Sequence, residues 1–182
     1  MKIYPSILTA SGVYFDFTQP ESYEYRIEAI AAALSKLCRF TGHVRQFYSV
    51  AQHSVLVSRL VPAEQALAGL LHDASEAFLG DVSSPLKALL PEYKTLERRV
   101  EQAIARAFGL PLELPAEVKH ADMVALMTEE AQLMPAHTDV WLGGIYQAAA
   151  GVHIVPQEPA LAEAVFLRRF EELATARERV AA

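Results

Sequence analysis

Apolar residues recur along most of this chain at helical spacing. Between Glu24 and Cys38, Ile27, Ile30, Leu34 and Leu37 return every three or four positions, which predicts a helix over 24–38. The pattern breaks from Arg39 to Tyr48, where Gly42, His43 and Arg45 sit among aromatics, and this stretch reads as a loop. Ser49-x-x-Gln52 reads as a capping box opening a helix that runs to about Leu60. Pro62 suits the first turn of the next helix, continuing through Leu67, Leu70, Leu71 and Ala74 to about Phe78, with Gly80-Asp81 ending it. Ser84-Pro85 reads as an N-cap followed by proline at the first helical position. Leu96, Val100, Ala103, Ile104 and Ala107 form one stripe from Glu92 to Phe108, and Gly109 supplies a stop. Pro115 opens a helix to about Met134, and a last one spans Pro159 to Val180. Residues 135–156, with Trp141, Gly143 and Gly144, read as a long irregular connection, a kind of segment that is often functional. Near the start, Val13 to Phe17 follows Ser11-Gly12 as a short strand leaving a turn. The expectation is an all-α fold, a compact helical bundle with room for a short N-terminal β-hairpin. It forms a single domain over 1–182, with a core at about 24–135 and a C-terminal helix at about 159–180.

Composition narrows the function classes. With 52% hydrophobic residues the chain can fill a core, which excludes a wholly disordered protein. Sixteen Lys and Arg against 22 Asp and Glu give a net charge of −6. That balance argues against a nucleic-acid polymer as partner, because backbone neutralisation needs clustered cations. Cys38 is the only cysteine, so no intramolecular disulfide and no thiolate zinc site can form; a buried, inert thiol is expected. The first residues lack the apolar block of a signal peptide, and no uncharged apolar stretch is long enough to span a bilayer. No membrane partner and a cytoplasmic location are expected.

Six histidines in a cysteine-poor, acidic chain point to nitrogen and oxygen metal ligands. In Leu70-Leu71-His72-Asp73-Ala74-Ser75-Glu76, three ionisable groups interrupt an apolar helix, and His72 and Glu76 share a face at four-residue spacing. Buried groups of this kind need compensation, which a divalent cation or a His-Asp hydrogen bond would provide. Asp122 points with the apolar stripe of its helix, beside Val118, Ala125 and Leu126; an ion pair with another helix is the competing reading. His53 lies among Val50, Leu56 and Val57, where a histidine is either a satisfied core residue or a ligand. Together His53, His72, Asp73 and Asp122 offer two imidazoles and two carboxylates from three helices. Such a set suits Mn, Co, Zn or Fe as the divalent metal ion better than Mg.

The order His53 … His72-Asp73 … Asp122 resembles the signature of the HD-domain metal-dependent phosphohydrolases. It is most similar to the small branch holding bacterial 5′-deoxynucleotidases and phage-type deoxynucleotide triphosphohydrolases. Four blocks carry the likeness, spread over about residues 6–135: Leu37 to His43, Phe47 to Ser54, Leu70 to Glu76, and Gly80 to Lys87. The resemblance implies an HD-type helical bundle in which His53, His72, Asp73 and Asp122 hold the metal. It implies that Glu76 and Asp81 are the catalytic acids, and that Arg39, with Lys87 as a second cation, contacts phosphate. It places Phe40, the aromatic after the arginine, against the substrate, where a phenyl ring can stack but not hydrogen-bond. His43 and Arg45, in the loop before His53, are further candidates to reach phosphate.

The function expected is a hydrolase of nucleotides, in which metal-activated water attacks phosphorus. Both a 5′-nucleotidase and a deoxynucleotide triphosphohydrolase stay open. A non-catalytic nucleotide- or protein-binding domain is the alternative, opposed by the presence of all four ligands and Glu76. An HD phosphodiesterase or alarmone hydrolase has no accompanying signature. The apolar helix faces and the resemblance also imply a homo-oligomer, a dimer or higher.

Overall fold

In a computed structural model, described over residues 4–181 apart from a few side chains, the chain is mostly helical. A short antiparallel hairpin comes first. Its strands β1 (Ser6–Leu8) and β2 (Tyr14–Asp16) pair Ile7 with Phe15 across a turn that needs Gly12 at positive φ. Eight α-helices follow among the described residues: α1 Ile27–Leu34, α2 Val50–Leu60, α3 Ala66–Leu71, α4 Glu76–Leu79, α5 Ser84–Lys87, α6 Pro91–Ala107, α7 Ala116–Leu133 and α8 Pro159–Ala181. The expected helical bundle with its N-terminal hairpin is therefore the observed architecture.

Helix α2 is the centre of the packing, with α3, α7 and α8 against it. One face places Val50, Ala51 and Val55 in a cluster with Ile30 and Leu34 of α1, Leu70 of α3, Ile104 of α6, and Ala162 and Phe166 of α8. The other face carries Val57 to Ala68 of α3 and to Val118, Ala121 and Ala125 of α7. Each large apolar side chain so buried contributes roughly 1.5–3 kcal/mol. Phe15 of β2 plugs the first cluster against Phe78, ring centroids 4.5 Å apart, and so ties the hairpin to α4. Close approach of α2 and α3 needs Gly69, where a Cβ would stand 3.2 Å from Ser58 Cα. Among the described residues no helix is long and apolar enough to cross a membrane.

The expected elements hold with four differences. Helix α1 ends at Leu34 instead of Cys38, because Leu37 to Arg39 pairs in extended form with the chain around Ser49. Val50 N donates to Leu37 O at 3.0 Å and Arg39 N to Tyr48 O at 2.9 Å. Cys38 is consequently half-buried, not core. The helix expected from Pro62 to Phe78 is interrupted at His72–Ser75, where backbone bonds such as Glu76 N to Asp73 O close over three residues. The His72 ring binds the Gly69 carbonyl, the acceptor a continuing helix would use. Ser49 does cap α2, accepting from Gln52 N at 3.2 Å, but Gln52 does not complete a capping box. Its amide instead brackets the later chain, donating to Val155 O and accepting from Gln157 N, both at 3.0 Å. Finally, Ser83 and not Ser84 precedes α5.

Candidate metal centre

Two helices and one turn bring the site together. His53 comes from the middle of α2 and is fully buried; His72 and Asp73 come from the turn after α3; Asp122 comes from α7. His53 Nε2 lies 3.2 Å from His72 Nε2 and 3.1 Å from Asp122 Oδ1. Atoms of these three residues lie within 4.8 Å of one another. Asp73 Oδ2 stands 3.2 Å from His72 Nε2 and 3.5 Å from His53 Nε2.

The outer nitrogens settle which atoms face inward. His53 Nδ1 meets Glu129 Oε1 at 2.7 Å, and His72 Nδ1 meets Gly69 O at 2.9 Å. Both acceptors lack a proton to give, so each Nδ1 carries a hydrogen and each ring, when neutral, presents its lone pair at Nε2. Two imidazole nitrogens and two carboxylates thus converge on one point, an arrangement that a divalent cation relieves, as protons on the rings do when none is bound. The donor set fits a divalent ion with nitrogen and oxygen preference, and ligands bound at about 2.1 Å at right angles sit about 3.0 Å apart, close to the spacing seen. The same field acts on the side chains themselves. Burial disfavours charge on both rings, yet neighbouring carboxylates raise His53 and His72 above the usual histidine range. Burial likewise works against Asp73 and Asp122, but the imidazoles hold both below ordinary carboxylates.

Beside this centre lies a ring of charge. Arg39 Nη2 donates to Glu129 Oε2 at 3.0 Å; burial opposes its charge, and Glu129, Asp73, Asp81 and Asp122 together outweigh it. Glu76 is pushed up to about 9, chiefly by burial and then by the charges of Asp73 and Asp81. Burial and Asp73 also raise Asp81, against the pull of Arg39 and Lys87. Lys87 sits between Glu97 Oε1 at 2.6 Å and Glu76 Oε1 at 3.6 Å. Three buried polar atoms here have no hydrogen-bond partner among the described residues: Arg39 Nε, Glu76 Oε2 and Asp81 Oδ2. Each orphan costs free energy unless a ligand or water meets it, and one donor with two acceptors in a single charged cluster is a binding site's signature.

Not every sequence candidate joins the cluster. Arg45 binds the Met134 carbonyl and caps the end of α7. His43 is exposed, and its ring makes no hydrogen bond among the described residues. Phe40 holds φ at 55°, as does Thr41 at 54°, a left-handed pair without glycine that costs roughly 1–2 kcal/mol per residue. Strain of that kind gathers at functional sites. The residue that sequence reasoning missed is Glu129. It lies seven positions after Asp122, two turns along α7, and is fully buried; a glutamate in register with Asp122 was the available signal.

A family model for 5′-deoxynucleotidase YfbR-like proteins matches residues 40–138, the segment holding every candidate ligand. The chain belongs to the YfbR-like family. That family places it among HD-type phosphohydrolases of nucleotides, and His53, His72 and Asp122 fit an HD-type divalent metal site. The chain is also 41% identical to the "uncharacterized protein YfdR" of Escherichia coli (strain K12), over 94% of this chain and 97% of that protein. An uncharacterized protein of Rhodobacter capsulatus is 37% identical over 68% of this chain and 70% of its own length. The YfbR-like match ends at residue 138, so the later connection and α8 lie outside it.

Proposed function

We propose that this chain is a divalent-metal-dependent 5′-nucleotidase acting on deoxynucleoside monophosphates. The convergence of four acceptors, with three orphaned polar atoms beside them, is the observation that carries the reading. His53, His72, Asp73 and Asp122 hold the ion; the imidazole nitrogens favour Mn, Co, Zn or Fe over Mg. When bound, such an ion acidifies water and polarises a phosphoryl oxygen.

The chain's own residues do the rest. Glu76 Oε2 and Asp81 Oδ2 have free lone pairs for the attacking water. Beside a bound cation the Glu76 carboxyl would be ionised, and its raised proton affinity then suits it to accept the water's proton as the new P–O bond forms and to return it to the departing 5′-oxygen as the ester bond breaks. Arg39 Nε remains free after Glu129 takes Nη2, and donates to a phosphoryl oxygen. Lys87 supplies a second positive charge, Phe40 a face for the nucleoside, and His43 an outer phosphate contact. Residues 1–182 act as one domain, since Phe166 of α8 shares the core with Val50 of α2. The substrate is a small nucleotide. A homo-oligomer is part of the proposal, with exposed Leu86 and Leu89 as apolar surface available to it.

Phosphorus NMR of a panel of nucleoside mono-, di- and triphosphates, with each metal in turn, tests this. Orthophosphate release from deoxynucleoside monophosphates is expected, abolished in Asp73→Ala. Tripolyphosphate from triphosphates would replace the nucleotidase reading by a triphosphohydrolase one. No turnover of any nucleotide, or full turnover in Asp73→Ala, would overturn the proposal.

A further inference from the structure

The connection between α7 and α8 is bound tightly to the two helices that carry the site. Its residues are held by polar side chains next door to the candidate machinery. Thr128, beside Glu129, accepts from Ala149 N at 2.8 Å. Gln132 donates to Val152 O and accepts from Ile154 N, both at 2.9 Å, and Gln52, beside His53, does the same for Val155 and Gln157. Each glutamine amide thereby pairs with the backbone as a neighbouring strand would.

Further back, the connection brings Trp141 to the loop before α2. Its ring centroid lies 6.2 Å from that of Phe40, and the Arg39 guanidinium sits 5.3 Å over the Phe40 ring. Trp141 also stacks with His137, centroids 5.5 Å apart and planes at 22°, and His137 Nε2 is 2.8 Å from Glu130. A continuous row therefore runs Arg39, Phe40, Trp141, His137. It is anchored at both ends on adjacent residues of α7: Glu129 takes Arg39 and Glu130 takes His137. Phe40 and Trp141 are both only half-buried. The row starts at the guanidinium whose Nε is buried without a partner among the described residues and whose charge Asp73, Asp81 and Asp122 support, so an aromatic surface adjoins the phosphate end of the site.

We propose that Trp141 is a specificity-determining residue, forming with Phe40 the aromatic wall on which the nucleobase of the substrate stacks. The inference rests on the nucleotidase reading. Trp141 lies beyond the segment matched by the family model, so the wall joins a residue inside that segment to one outside it. A planar base has a π-face whatever its edge, so the wall selects nucleotides over other phosphate esters without choosing strongly among bases. It also divides labour: Arg39 and the metal residues take the phosphate, while Phe40 and Trp141 take the nucleoside.

Trp141 is the chain's only tryptophan, so intrinsic fluorescence reports on this one ring. A deoxynucleoside, which contains no bond for the enzyme to cleave, is expected to quench the emission saturably, whereas inorganic phosphate leaves it unchanged. In kinetics, Trp141→Ala should raise KM for a deoxynucleoside monophosphate roughly 5- to 150-fold. The same variant should leave kcat and KM for deoxyribose 5-phosphate, which has no base, at wild-type values, and Trp141→Phe should restore most of the nucleotide affinity. No quenching by any deoxynucleoside overturns the wall even if the variants fail to fold. So does an equal loss of both substrates in Trp141→Ala, which would mean a structural role. If the wild-type protein hydrolyses neither ester yet nucleosides quench Trp141, the nucleotidase reading falls and the wall stands.

Discussion

His53 and Glu129 meet at 2.7 Å with no solvent exposure on either side chain, one from α2 and one from α7. The carboxylate fixes the ring's tautomer and aims Nε2 at His72 and Asp122. The same carboxylate, through its second oxygen, holds Arg39. One buried anion thus orients a metal-ligand candidate and a phosphate-binding candidate at once. Burial works against its charge, and His53 and Arg39 keep it below the ordinary glutamate range.

Replacing that anion should loosen the centre without emptying the core. Glu129→Gln conserves shape but weakens the acceptor for His53 and leaves Arg39 unpaired. Metal affinity, measured by isothermal titration of the apoprotein with Mn²⁺ or Zn²⁺, is expected to fall about 10- to 100-fold. Wild-type affinity would show that His53 needs no such support.

Glu76 makes a prediction for the metal-free protein. Its folded carboxyl titrates near 9 against an ordinary 4.5, so the folded state holds a proton that the unfolded state has lost. Its stabilising contribution is complete below about pH 4.5. It falls as pH rises and is gone once pH passes about 9. Urea denaturation of wild type and Glu76→Gln in chelator, across that range, should show the wild-type protein losing stability relative to the variant. A constant difference would mean that Glu76 is ionised throughout.

The start of α2 rests on Ser49. Ser49→Ala removes the side-chain acceptor for Gln52 N and should cost about 1 kcal/mol. The urea midpoint should drop with an unchanged slope. Because the next turn carries His53, metal affinity should weaken with it.

At the far end of the chain, Phe166 is fully buried in the main cluster. Phe166→Ala should destabilise the protein by about 3–5 kcal/mol, as deep cavities do. A loss under 1 kcal/mol would mean that α8 is an appendage and not part of the core.

Much of this could be read before any coordinates. Helical periodicity located α2, α6, α7 and α8 to within a few residues, because their apolar stripes face a continuous core and their ends carry Ser49, Gly109, Pro115 and Pro159. The loop from Arg39 to Tyr48 was legible from its broken pattern. Less legible was the interruption at His72–Ser75, since every residue there tolerates a helix and only the ring of His72, reaching the Gly69 carbonyl, breaks it. Gln52 looked like a local cap partner, yet its amide pairs with backbone more than a hundred residues later.

The division follows from the range of the forces involved. Spacing and side-chain type are local, so the sequence alone determined most of the helices and the four ligand candidates His53, His72, Asp73 and Asp122, while the parts expected of Glu76 and Asp81 came from the family resemblance. Pairing across the fold is not local. Only the packing of α7 on α2 showed that Glu129 serves both His53 and Arg39, and only the packing of α4, α5 and α6 and the path of the loop before α2 showed that Lys87 is held between two glutamates and that Arg45 caps a helix instead of facing the site. Only the course of the 135–157 connection set Trp141 against Phe40. A charged or aromatic side chain takes its role from the groups it meets after folding, and no periodicity along the chain records those meetings.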